Sequence, residues 1–156
     1  MAISVWKDKR AIKAILDTDP YLIEYLKFNP NDIYTVQSTD ELLGLTNQRN
    51  KLRPQIFIYN VEPEATVNPL IYGIVYEVDV SVSNSDSGTA DLAMDQILAL
   101  LDMREISNTS QLQLLDPPTI LSSETSLYQI GVRFVTYVSK INQIKTYVKQ
   151  NESEED

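Results

Sequence analysis

The run Leu70–Val82, LIYGIVYEVDVSV, constrains the fold more than any other part of the chain. It is rich in β-branched and aromatic residues and alternates with a period of two, so it reads as a strand. Tyr72, Ile74, Tyr76, Val78, Val80 and Val82 point one way, and Val75, Glu77, Asp79, Ser81 and Ser83 point the other. One face is expected to be packed and the other largely wet. At about 3.3 Å per residue the strand would run roughly 40 Å, so part of it is expected to project past its sheet.

A Ser/Asp/Asn/Gly loop follows, and Ser87–Met103 then reads as a helix. Thr89 or Ser87 can cap it, with Asp91 in the first turn, where the helix dipole favours an anion. At 100° per residue Ala90, Ala93, Met94, Ile97, Leu100 and Leu101 gather on one side. Asp91, Asp95 and Asp102 fall within roughly 40° of one another on the opposite side. The helix buries one stripe and presents an acidic one.

The flanking segments complete a sheet. Gln55–Val61, QIFIYNV, is a strand, and Glu62–Leu70 reads as a protruding loop with two prolines and two glutamates. SQLQLLDPPTILS gives a third strand interrupted by Pro117-Pro118, which suits a sheet edge or a bulge. Ser126–Ser139 gives a fourth, with Tyr128, Ile130, Val132, Phe134 and Val138 on one face and Gln129, Arg133 and Tyr137 on the other. Arg133 is a plausible cross-strand partner for the Glu77/Asp79 face. Ala2–Phe28 reads as two helical segments broken at Asp17–Pro20, and Thr39–Leu43 as a short helix stopped by Gly44. The fold class is α+β: a four-stranded, mainly antiparallel sheet of order β-β-α-β-β, one helix on its apolar face, and N-terminal helices. Residues 1–139 form one domain, with 1–53 helical and 54–139 holding the sheet and its packing helix. Residues 140–156 read as a flexible extension ending in the acidic NESEED.

Charge narrows the function. The 156-residue chain carries a formal net charge of −9. Residues 1–53 are near neutral, with eight Lys/Arg against seven Asp/Glu; Pro54–Met103 has no Lys or Arg and eight acidic residues. Duplex binding needs cations to neutralise phosphates, so sequence-specific DNA recognition is not expected. Cysteine and histidine are both absent, which removes thiolate chemistry, the commonest general base and the commonest zinc ligand. There is no apolar run long enough for a transmembrane helix, and the N-terminal residues do not read as a signal peptide.

Catalytic and metal readings were weighed on the residues present. Glu77, Asp79, Asp86 and Asp91 offer hard oxygen ligands, but their spacing is not that of an EF-hand loop. A phosphate-cradling loop needs several glycines and usually a lysine, whereas this loop has Gly88 alone. Glu77 and Asp79 flank each other on one strand face and would suit acid–base work only in a pocket. No Ser or Thr has a histidine to activate it. A small carboxylate- or metal-dependent hydrolase is the lesser reading, and no cofactor or metal is expected. Tyrosines are frequent interface anchors, which makes Tyr59 and Tyr137 candidates alongside Glu62, Glu64 and Arg133 for contacts between subunits.

The element order, with QIFIYNVEPEATVNP, the strand–loop–helix unit LIYGIVYEVDVSVSNSDSGTADLAMDQILALL, a proline-interrupted strand and a closing strand, resembles the tail terminator (tail completion) proteins of long-tailed bacteriophages. The resemblance covers roughly residues 1–139. It implies a non-enzymatic subunit of a closed ring, typically of six, that caps the last tail-tube ring, stops tube growth and docks to head-completion or neck proteins. The genome would pass through the lumen without specific binding, and no membrane would be involved. Such a protein would sit in the virion at the tail–neck junction and in the host cytoplasm during assembly. Carried onto this sequence, Glu77, Asp79, Asp91, Asp95 and Asp102 are the candidates to face the lumen. Head-closure or adaptor neck proteins share the size and acidity and are the nearest alternative.

Overall fold

The long strand has a partner of equal length. The computed structural model describes residues 5–36, 53–61, 70–106, 111–123 and 126–139. Within them lie helices α1 (Val5–Asp17) and α2 (Ser87–Leu101) and strands β1 (Ile33–Thr35), β2 (Gln55–Asn60), β3 (Ile71–Ser83), β4 (Gln113–Ser123) and β5 (Leu127–Ser139). The strands form one mixed sheet in the order β1-β2-β3-β5-β4. All 13 residues of β3 are paired antiparallel with β5, from Ile71 opposite Ser139 to Ser83 opposite Leu127. β3 therefore outruns its other neighbour, the six-residue β2, but does not project past the sheet, because β5 pairs with it over the whole length.

The sheet has five strands where four were expected. The extra one, β1, pairs parallel with β2, Ile33 opposite Ile56 and Thr35 opposite Ile58. Three residues are too few to show an alternation, and parallel pairing leaves no hairpin signature. β4 is the outer strand on the far side, with register breaks around Leu114–Asp116, Asp116–Thr119 and Ile120–Ser122. The Pro117-Pro118 pair sits inside those breaks, where missing N–H donors are tolerated.

One face of the sheet packs as its alternation dictates. Tyr76, Val78 and Val80 of β3 meet Phe134, Val132 and Ile130 of β5 directly across the ladder, all buried. α2 covers them with Ala90, Ala93, Met94, Ile97 and Leu101; each fully buried large aliphatic contributes roughly 1.5–3 kcal/mol. The helix begins one step earlier than its Ser/Thr pattern indicates. A 3-10 turn at Asn84–Asp86 leads into it and Asp86 is the N-cap residue, which leaves Asp91 beyond the first turn.

α1 lies over β1 and β2 beside α2 and buries Asp8 and Lys9 along with Ile12 and Leu16. These polar residues are bonded as buried groups must be. Tyr76 donates its hydroxyl to Asp8 Oδ2 at 2.5 Å. Lys9 Nζ donates to the Val36 carbonyl at 2.7 Å and to Asn60 Oδ1 at 3.0 Å. Lys9 thereby ties α1 to the ends of both β1 and β2. The expected break follows α1, and the chain then makes a π-turn at Tyr21–Tyr25 that buries Leu22. The short helix at Thr39–Leu43, the loop with Glu62 and Glu64, and the extension 140–156 lie outside the described residues.

Candidate functional site

The second face of the sheet is not wet. Glu77 and Asp79, expected in solvent, are 5% and 1% exposed. Their register supplies the reason. Tyr59 of β2 stands directly opposite Glu77, and its hydroxyl donates to Glu77 Oε2 and lies 2.7 Å from Asp79 Oδ2. From the other side Arg133, opposite Glu77 on β5, donates Nε–H to Glu77 Oε1 at 2.7 Å. The cross-strand ion pair suggested by alternation therefore forms. Tyr59 and Arg133 thus meet the carboxylates from the two neighbouring strands.

Gly131 completes this arrangement. A Cβ at that position would stand 2.3 Å from Asp79 Oδ1 and 2.9 Å from Leu121 Cδ1. The Asp79 carboxylate thus occupies the space over the Gly131 backbone that any side chain would fill. Beside it opens a cleft of about 250 Å³ lined by Glu77, Asp116, Pro117, Leu121, Gly131 and Arg133. The polar row continues along the face, where Gln129 Nε2 donates to Ser81 Oγ at 3.3 Å. Next to Ser81, Gln55 is wholly buried, and among the described residues neither atom of its amide has a hydrogen-bond partner. Toward β1, Tyr34 stacks on Phe57 with ring centroids 5.2 Å apart.

The protonation states follow from these contacts. Burial pushes the Tyr59 hydroxyl far above the ordinary phenol value, and the Asp79 charge pushes the same way. Burial alone would raise Glu77, but its contact with Asp79 and the hydrogen bonds donated by Tyr59 and Arg133 outweigh it and hold that carboxyl below its usual range. An acid–base catalyst needs a group poised near its working pH. Both shifts run away from neutrality, and the bonds of the cluster join β2, β3 and β5. Tyr76 is raised in the same way, by burial and then by its bond to Asp8.

The other sequence candidates fall elsewhere. Asp91, Asp95 and Asp102 are exposed along one flank of α2. Tyr128 donates to Asp91 Oδ1 at 2.9 Å, and the Leu114 backbone N–H donates to Asp102 Oδ1 at 3.1 Å. Those two bonds orient the acidic flank toward β5 and β4. The five lumen candidates thus separate into two groups: Glu77 and Asp79, turned inward and bonded, and the three helix carboxylates, turned outward. Tyr137 is half-buried, and the Tyr59 hydroxyl is spent inside the cluster. The four carboxylates of the hydrolase reading do not converge. Glu77 and Asp79 lie on one face of the sheet, while Asp91 reaches Tyr128 on the face that α2 covers. Among the described residues no group of three or more carboxylates is placed to hold a metal ion.

Asp8, Lys9 and Tyr76 were not foreseen as a buried polar set. The signal was present, since positions 8, 12 and 16 share the helical stripe that carries the apolar residues of α1.

With the geometry in hand, comparison with known proteins gives the fold. No protein-family model matches the chain and no curated protein matches it. A solved structure described as "Virion of native gene transfer agent (GTA) particle" contains a chain of similar fold, with 14% sequence identity and a TM-score of 0.56. The match covers 87% of this chain and 99% of that one.

Proposed function

We propose that this chain is a structural, non-enzymatic subunit of a phage-type virion, and that its place is the tail terminator ring at the head–tail junction. The observation that carries the class is the fold shared with a chain of a virion particle over nearly the whole of both chains. The site supports it from the other side, because the buried carboxylates are consumed in holding β2, β3 and β5 together. In this reading the ring is homo-oligomeric, typically of six copies, seated between the tail-tube protein and the head-completion or neck proteins. The chain's net charge of −9 gives such a ring a like charge that keeps a passing polyanion from adhering.

Light scattering of the purified chain across concentration, followed by imaging of the particles formed, tests the reading. Closed rings of uniform diameter are the expected result. Monomers at every concentration, together with particles in which a labelled chain is missing from the junction, would overturn it. Label on the head side of the junction instead would favour a head-closure or adaptor role.

A further inference from the structure

The sheet carries one stretch of apolar surface that its own helices leave bare. α2 covers β3 and β5 and only grazes β4. Leu114 and Ile120 of β4 sit opposite Phe134 and Ile130, on the helix-covered side of the sheet, yet are 41% and 57% exposed. Above this apolar floor stands the flank of α2 with Asp91, Asp95 and Asp102, and Asp102 is anchored to the Leu114 backbone itself. Met103, 57% exposed, closes the end of the trough. The trough therefore has an aliphatic floor and an acidic wall, and it lies along an outer strand.

The opposite flank of the same molecule has the complementary chemistry. α1 lies over β1 and β2, at the other end of the strand order. Its outward stripe carries Trp6, 43% exposed, with the Arg10 guanidinium 4.4 Å from the Trp6 ring centroid. Lys7 and Arg10 are exposed on this helix, and Lys13 pairs with Asp17 at 3.1 Å, while Asp8 and Lys9 are turned into the core. Residues 86–102 have four aspartates and no cation. An aromatic side chain under a guanidinium is a frequent hot-spot pairing at protein interfaces.

We propose that the β4–α2 trough is a docking surface for the α1 flank of a second copy of this chain. Trp6 lies on Leu114 and Ile120, and Arg10 meets the acidic wall at Asp95. The two surfaces are different and lie at opposite ends of the sheet, so the contact is head-to-tail. Such a contact repeats and closes into a ring or extends into a filament. The inference rests on the proposed ring and names the surfaces that would build it.

Sedimentation velocity on the full-length protein over a range of concentrations, at low and high salt, tests the proposal. The proteins needed are the wild type, Ile120→Arg, Arg10→Glu, Asp95→Arg and the double variant Arg10→Glu/Asp95→Arg. Circular dichroism confirms that each is folded. The wild type is expected to associate more weakly at high salt. Each single variant should loosen association on the order of tenfold or more, and the double variant should recover most of it. Association of the wild type that all three single variants leave unchanged would overturn this contact and leave the ring reading standing. A wild type that stops at a two-fold dimer, or stays monomeric throughout, would also overturn it; imaging of the junction would then judge the ring separately.

Discussion

The two faces of β3 bury side chains by opposite means. On one, Tyr76, Val78 and Val80 are covered by α2 and cross-strand apolar neighbours. On the other, Glu77 and Asp79 are buried almost as completely but are held by Tyr59 and Arg133. The first face is stabilised by area removed from water and tolerates changes of detail. The second depends on each donor meeting its acceptor, because an ionised group out of water is costly once a partner is lost. A strand that alternates apolar and acidic residues is thus not necessarily half-solvated; tyrosine and arginine on its neighbours can bond the carboxylates of its acidic side.

Truncation on the apolar face should have the largest effect. Tyr76→Ala leaves a cavity beneath α2 and removes the donor to Asp8, and is expected to lower unfolding free energy by about 3–5 kcal/mol in chemical denaturation. Next comes Gly131→Ala. The new methyl would overlap Asp79 Oδ1, and displacing a buried carboxylate should cost about 1–3 kcal/mol. If the polar face were loosely held, this change would be nearly neutral.

pH tests one tyrosine on each face. Tyr59 and Tyr76 are raised above the ordinary phenol value in the folded protein. The stability they contribute is complete below pH 10 and declines as pH rises beyond it, by about 1.4 kcal/mol per pH unit for each. Phenolate absorbance should therefore show Tyr59 and Tyr76 ionising only on unfolding, and one of those two late transitions should vanish in Tyr59→Phe. Glu77 has the opposite sign. Its lowered value gives stability that is present above the unfolded carboxyl range and lost as pH falls through the folded value, so Glu77→Gln should flatten the acid limb of the stability profile.

Two smaller changes sharpen the contrast. The Gln55 amide is buried without a hydrogen-bond partner among the described residues. Gln55→Met should therefore stabilise by about 1 kcal/mol, the reverse of what a satisfied polar row would give. Asp95→Asn lies outside both faces on the exposed flank of α2 and should leave stability within about 0.5 kcal/mol in the same assay.

Much of this was legible in the sequence where a period had room to show itself. β3, α2 and β5 are each 13 residues or longer, and alternation or the helical stripe identified their inward residues. The proline pair in β4 announced an edge strand. β1 was not legible, because three residues carry no period and its partner is parallel. Neither was the burial of Glu77 and Asp79. Alternation shows which residues share a face, but what closes over that face depends on register: Tyr59 against Glu77, and Arg133 against Glu77, are facts of pairing. Gly131 was equally silent, since its role exists only once Asp79 lies across it.

The proposed role is that this chain ends a tube and joins it to a head. Removing its gene from a particle-producing genome, with electron microscopy of the products, measures that directly. The account predicts tail tubes that overrun their normal length and stay unattached to filled heads, with normal particles restored when the wild-type chain is supplied. Tails of normal length joined to heads in its absence would contradict it.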